Sequence, residues 1–98
     1  MFPTPKQIEA AKRALRRAYA EGCHQRFRIV DDRSGCVYGQ YVNPQGEVYH
    51  VCDGGCDCPG GRKGLICKHL VSLLDLTGRL DQLIPDVYTE EGFEALTA

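Results

Sequence analysis

Residues 53–69 read DGGCDCPGGRKGLICKH, and what this stretch binds decides the fold of the chain. Cys56-Asp57-Cys58 and Cys67-Lys68-His69 are two pairs of soft or borderline ligands, each split by one residue and joined by an eight-residue loop. Three thiolates and one imidazole suit tetrahedral Zn²⁺, with Zn–S of about 2.3 Å and Zn–N of about 2.0–2.1 Å. The glycines of the loop let the backbone bend round an ion, and Pro59 fixes the exit from the first pair. Residues 53–66 are too rich in Gly and Pro for regular structure, so they are expected to form a shaped loop. Cys67 and His69 then open a helix, whose partial positive end favours thiolate. Three thiolates and Zn²⁺ sum to one negative charge, which Arg62, Lys63 and Lys68 can offset while remaining free to meet an external anion.

On the C-terminal side, Leu70, Val71, Leu73, Leu74 and Leu76 recur as one helical face from about Cys67 to Thr77, stopped by Gly78. Leu80, Leu83 and Ile84 form a further apolar turn or short helix before Pro85, and Glu91–Leu96 is a weak helix or a mobile terminus. On the N-terminal side the apolar period is two, giving strands over Arg26–Val30, Cys36–Val42 and Glu47–Cys52. Asp31-Asp32-Arg33-Ser34-Gly35 reads as a polar loop, and Asn43-Pro44-Gln45-Gly46 suits a type I turn. A simple hairpin about that turn sets Val42 opposite Glu47, Tyr41 opposite Val48 and Tyr38 opposite Val51. The tyrosines are expected to pack rather than to offer a stacking platform for bases.

The chain begins with a helix from Pro5 to about Glu21. Thr4 is its N-cap, Gln7 completes a capping box, and Gly22 supplies the left-handed end. Ile8, Ala11, Leu15, Ala18 and Tyr19 form the expected buried stripe. Lys6, Lys12, Arg13, Arg16 and Arg17 fall on another arc, which reads either as an ordinary solvated face or as a binding surface. The whole is an α+β fold: N-terminal helix, three-stranded antiparallel sheet, zinc loop, then helix, a ββα-like core. Its expected division is a basic amphipathic helix over 1–24 packed on a zinc-binding domain over 25–78, with an acidic extension over 79–98.

C-x-C-P, a glycine-bearing loop and then C-K-H before an apolar helix resembles the SWIM zinc finger, over roughly the middle half of the chain. The strands over Arg26–Cys52 are similar to the hairpin that precedes the metal loop in that family. Such domains occur in chromatin remodellers, Mu-type transposases, a MAP kinase kinase kinase and partners of recombinase paralogues. The resemblance implies zinc binding through Cys56, Cys58, Cys67 and His69, with DNA-binding or protein-binding roles, and gives no other residue a part.

Composition excludes several classes. With 43% apolar and 26% charged residues the chain is neither generally disordered nor membrane-like. Its apolar runs fall far short of the about 20 residues that span a bilayer. Charges punctuate the N-terminus, so no signal peptide is read there, and cytoplasm or nucleus is the expected compartment. That setting argues against reading the six cysteines as three disulfides. Cys23, Cys36 and Cys52 are expected to be buried free thiols. Two sharper readings stand beside that: Cys52 exchanging with a ligand, or Cys23, His24, Cys36 and His50 holding a second ion. His24 and His50 otherwise read as ordinary, partly exposed histidines.

Net charge is only −1, but it is divided. Residues 1–28 carry seven bases against two acids, 29–60 one against five, 61–80 four against one, and 81–98 five acids and no base. The two positive blocks support a nucleic-acid-binding module in which Arg62, Lys63 and Lys68, with Lys12, Arg13, Arg16 and Arg17, meet DNA or RNA phosphates. The near-neutral total supports instead a protein adaptor that docks on a DNA-processing enzyme or recombinase-type partner through Leu80–Ile84 and the acidic tail. Four protein ligands leave no open metal position, so catalysis and a small-molecule substrate are not expected.

Overall fold

Thr4 starts helix α1 (Pro5–Glu21) as the sequence predicts. Its hydroxyl accepts from the Gln7 N–H at 3.2 Å, and Gln7 Oε1 accepts from the Thr4 N–H at 2.9 Å. Gly22 ends the helix at φ +68°, in the left-handed region that favours glycine. The computed structural model describes residues 3–33, 36–85 and 87, without the side chain of Cys36. Ser34, Gly35, Asp86 and residues 88–98 lie outside that description, and with them the helix expected over Glu91–Leu96.

One 3₁₀ turn (Cys23–Arg26) leads into a four-stranded antiparallel sheet of order β1-β2-β3-β4: β1 (Phe27–Arg33), β2 (Cys36–Val42), β3 (Val48–Cys52) and β4 (Gly55–Cys56). The helices α2 (Pro59–Arg62) and α3 (Lys68–Leu76) and a 3₁₀ turn (Leu80–Gln82) follow. The α+β order is the expected one, with three corrections.

The first is the fourth strand and α2, both inside the stretch read as irregular loop. Cys52 pairs with Gly55 and Val51 with Cys56, so a two-residue return is enough to add β4 to the sheet. The second is β1, which runs through Asp31, Asp32 and Arg33 instead of ending at Val30. A register shift between Ile29 and Asp31 absorbs Val30 as a bulge, which lets a polar segment continue the ladder.

The third correction is the hairpin register. Val42 lies opposite Val48, Tyr41 opposite Tyr49 and Tyr38 opposite Cys52, one residue away from the expected pairing. The type I turn is present, since the Gly46 N–H donates to the Asn43 carbonyl at 2.9 Å. Gly46 then adopts φ +86°, and the Asn43 N–H donates to the Glu47 carbonyl at 2.9 Å. This left-handed glycine makes a three-residue loop with a bulge, which shifts the pairing by one.

The core lies between α1, α3 and the inner face of the sheet. Ala11, Ala14, Leu15 and Ala18 of α1 meet Val71, Leu73 and Leu74 of α3, with Val37, Tyr41 and Val51 beneath. Gly39 lets α3 approach the sheet, because a Cβ there would stand 3.0 Å from Leu73 Cδ1. Tyr19 was expected in the buried stripe but is exposed, and Ala14 takes its place. Leu80, Ile84 and Val87 are buried in this same core, so the segment after residue 78 packs with the domain as far as Val87.

Candidate metal centre

The three cysteines reach one point because each sits at an element boundary. Cys56 closes β4 opposite Val51, Cys58 is the N-cap of α2, and Cys67 is the N-cap of α3. His69 follows on the first turn of α3. Hydrogen bonds between His50 and Asp57, 3.2 Å from the Asp57 N–H to the His50 carbonyl and 2.9 Å from the His50 N–H to Asp57 Oδ1, hold the Cys56–Cys58 link along β3.

The ligand atoms of Cys56, Cys58, Cys67 and His69 all lie within 4.8 Å of one another, forming a set able to hold one metal ion. Cys56 Sγ and His69 Nδ1 are 3.7 Å apart. A tetrahedron with bonds of about 2.3 Å has edges of about 3.8 Å, so the spacing suits such an ion.

The backbone also fits three sulfur anions. The Cys58 N–H donates to Cys56 Sγ at 3.4 Å, the Gly61 N–H to Cys58 Sγ at 3.3 Å, and the Leu70 N–H to Cys67 Sγ at 3.4 Å. Charge-assisted hydrogen bonds of this kind spread negative charge over the protein. Among the protein groups themselves, the hydrogen bond from Cys56 pulls Cys67 down to about 4 against the cost of burial, with His69 and the Leu70 N–H assisting. The same hydrogen bond, followed by burial, pushes Cys56 up.

Gly61 is required for this geometry. A Cβ at that position would lie 2.0 Å from the Cys56 carbonyl oxygen and 2.7 Å from its carbon. The imidazole is fixed by two rings, Tyr41 at 4.2 Å and Tyr49 at 5.3 Å between centroids, which are themselves stacked within 5°. Sequence reasoning assigned the tyrosines to packing but not to this ligand, because only the shifted register brings Tyr49 opposite Tyr41.

Among the described residues no second Cys/His set converges. His24 pairs with Asp75, and His50 Nδ1 hydrogen-bonds the Tyr38 hydroxyl on the outer face of the sheet. Cys23 is buried as expected, beside the Tyr41 hydroxyl, whereas Cys52 is exposed and stands outside the convergent four.

The seven candidate phosphate-binding residues are divided by the fold. Arg13, Arg17 and Lys68 line one groove between α1 and the metal loop. Lys68 Nζ is 2.6 Å from Glu21 Oε1, Arg17 is 3.7 Å from the same carboxylate, and Lys12 pairs with Glu9 at 3.8 Å. Arg16, Arg62 and Lys63 are exposed and do not line that groove. Glu21 was not foreseen as a partner, since 47 residues separate it from Lys68.

Among the described residues, no helix is long and apolar enough to cross a membrane. Comparison with known proteins returns no matching family model, no matching curated protein and no matching solved structure.

Proposed function

We propose that this chain is a SWIM-type zinc module of the cytoplasm or nucleus that binds nucleic acid through phosphate contacts and catalyses no reaction. The donor set supports Zn²⁺, since three thiolates and an imidazole at near-tetrahedral spacing match its preferences. Cys56, Cys58, Cys67 and His69 would close its coordination sphere, so that the ion orders the loop and activates no water.

The observation that carries the nucleic-acid reading is the state of the cations around that loop. Arg13, Arg16, Arg62 and Lys63 are all exposed on α1 and at α2, and no ion pair engages them among the described residues. Unneutralised cations of this kind exchange their counterions for phosphates. The test is bound zinc per chain together with affinity for DNA and RNA, single- and double-stranded, at two salt concentrations. Binding should weaken with salt by a log–log slope of about 0.7–0.9 per phosphate neutralised. A zinc-loaded chain that binds no nucleic acid at low salt would reject this reading.

A protein adaptor for a DNA-processing or recombinase-type partner is the second reading. It is favoured by the outer sheet face, where Val42 and Val48 are exposed opposite one another on the face that carries the Tyr38–His50 pair. The Leu80–Ile84 segment cannot serve as its docking surface, because Leu80 and Ile84 are buried.

A further inference from the structure

We propose that the groove between α1 and the metal loop is a single-strand site, taking an unpaired base into its apolar recess while Arg13 and Arg17 hold the adjoining phosphate. This rests on the nucleic-acid reading above and narrows it to one place and one form of nucleic acid.

The groove has a volume of about 530 Å³, within the range of about 300–1,000 Å³ that small-ligand pockets occupy. One wall is α1, through Ala10, Arg13, Ala14 and Arg17. The other is the metal loop, where Pro59, Leu65 and Ile66 supply apolar surface and Lys68 stands at the entrance to α3. Among the described residues, no acidic side chain lines it. Leu65 is 62% exposed, an uncovered apolar side chain in the lining of a groove that also carries Arg13.

The two halves of the groove match the two halves of a nucleotide. Arg13 and Arg17 are one helical turn apart, about 6 Å along α1, so both guanidinium groups can reach one phosphate. Of the three cations that line the groove, Lys68 and Arg17 already share Glu21, which leaves Arg13 as the one that no ion pair engages among the described residues. The apolar part of the groove, Ala10, Ala14, Pro59, Leu65 and Ile66, accepts the face of a base by burying apolar surface, without reading its edge. A base inside a duplex is stacked and paired and cannot enter such a recess unless it is flipped out, which costs energy. Single strands present it freely. An acidic peptide would satisfy the arginines but would leave the apolar half of the groove unfilled.

The groove also borders the metal set, since Cys58, Cys67 and His69 are among its lining residues. A seated nucleotide therefore covers the metal from this side and slows its extraction by a chelator.

The test uses the zinc-loaded chain and three labelled probes followed by fluorescence anisotropy: oligothymidine of about 12 nucleotides, a blunt duplex of the same length, and a polyglutamate peptide. Oligothymidine should bind best and should slow zinc transfer to a chromogenic chelator. Arg13→Glu should weaken oligothymidine binding about tenfold or more, whereas Lys6→Glu, on the same helix outside the groove, should weaken it about threefold or less. Ala10→Trp fills the recess without changing charge and should weaken oligothymidine binding while sparing the duplex. Zinc content and the melting curve of each variant verify that it is folded.

Equal binding of strand and duplex, with Arg13→Glu and Lys6→Glu alike and Ala10→Trp silent, overturns the groove but leaves the nucleic-acid reading standing. Binding of polyglutamate in preference to oligothymidine also overturns it and assigns the groove to acidic protein. No binding of any nucleic acid at low salt removes both readings.

Discussion

His24 Nε2 lies 2.8 Å from Asp75 Oδ2, joining the turn after α1 to the third turn of α3 across 51 residues of sequence. The Tyr19 hydroxyl donates to the same oxygen at 2.8 Å, and its ring stacks on His24 at 4.8 Å between centroids. An ionised carboxylate only accepts, so Nε2 carries the proton and Nδ1 is left buried without a hydrogen-bond partner. The pair pins the two helices that flank the core.

The Asp75 carboxyl is held below its ordinary value of 3.8, first by the His24 hydrogen bond and then by Tyr19, against the cost of burial. Its stabilisation is therefore complete above the ordinary carboxyl range and lost as pH falls through the lowered value. Asp75→Asn should cost about 1–2 kcal/mol at pH 7. Urea melts of both proteins across the acid range should show that difference shrinking below pH 3.8. A gap that stays constant into strong acid would mean that the carboxylate charge is not what stabilises the pair.

Removal of the metal should disorder residues 53–70. Structural Zn²⁺ contributes on the order of 10 kcal/mol or more in zinc-finger peptides, and no other contact among the described residues ties Cys56, Cys58 and Cys67 together to that extent. Either a chelator or Cys58→Ala should broaden the amide resonances of this stretch and lower the melting temperature. An unchanged spectrum and melting curve after chelation would rule out a structural ion.

Gly61→Ala should weaken metal binding sharply, because the added Cβ meets the Cys56 carbonyl oxygen at 2.0 Å and the backbone of β4 or α2 must move. Overpacking of this kind costs about 1–3 kcal/mol, and more where rigid backbone is the obstacle. Gly60→Ala is the control, since its Cβ would meet Cys67 Cβ at an ordinary 3.9 Å. Chelator competition should separate the two variants by about tenfold or more in affinity; equal affinities would show that the loop relaxes freely.

Burial pushes the Tyr41 hydroxyl up to about 12, with the neighbouring Cys23 thiol adding to the shift. A group whose folded value is raised keeps its full stabilisation below the unfolded value of about 10 and loses it as pH rises towards 12. Ultraviolet titration should find one tyrosine ionising at about 12. Tyr41→Phe should abolish that late step and flatten the loss of stability above pH 10. Four tyrosines titrating late would point instead to general exclusion of base from the fold.

The metal set and the first helix were legible in the sequence because their determinants are local. Cys56, Cys58, Cys67 and His69 span 14 residues, and ligand type, spacing and glycine content all act within that span. The Thr4–Gln7 capping box and the Gly22 stop likewise depend only on neighbours along the chain.

What only the tertiary structure decided depends on contacts between distant segments. The left-handed Gly46 lengthens one turn by a residue, and that shift places Tyr49 beside Tyr41 and both rings against His69. Tyr19 leaves the predicted stripe because Asp75, which it meets only after α1 packs on α3, offers its hydroxyl a partner. The five cations of α1 share one arc in helical projection, yet only Arg13 and Arg17 face the metal loop, since a projection does not say where a second wall will stand. Local chemistry determined which four residues can hold a metal ion; the placement of α1 beside the loop determined the groove that lies open next to them.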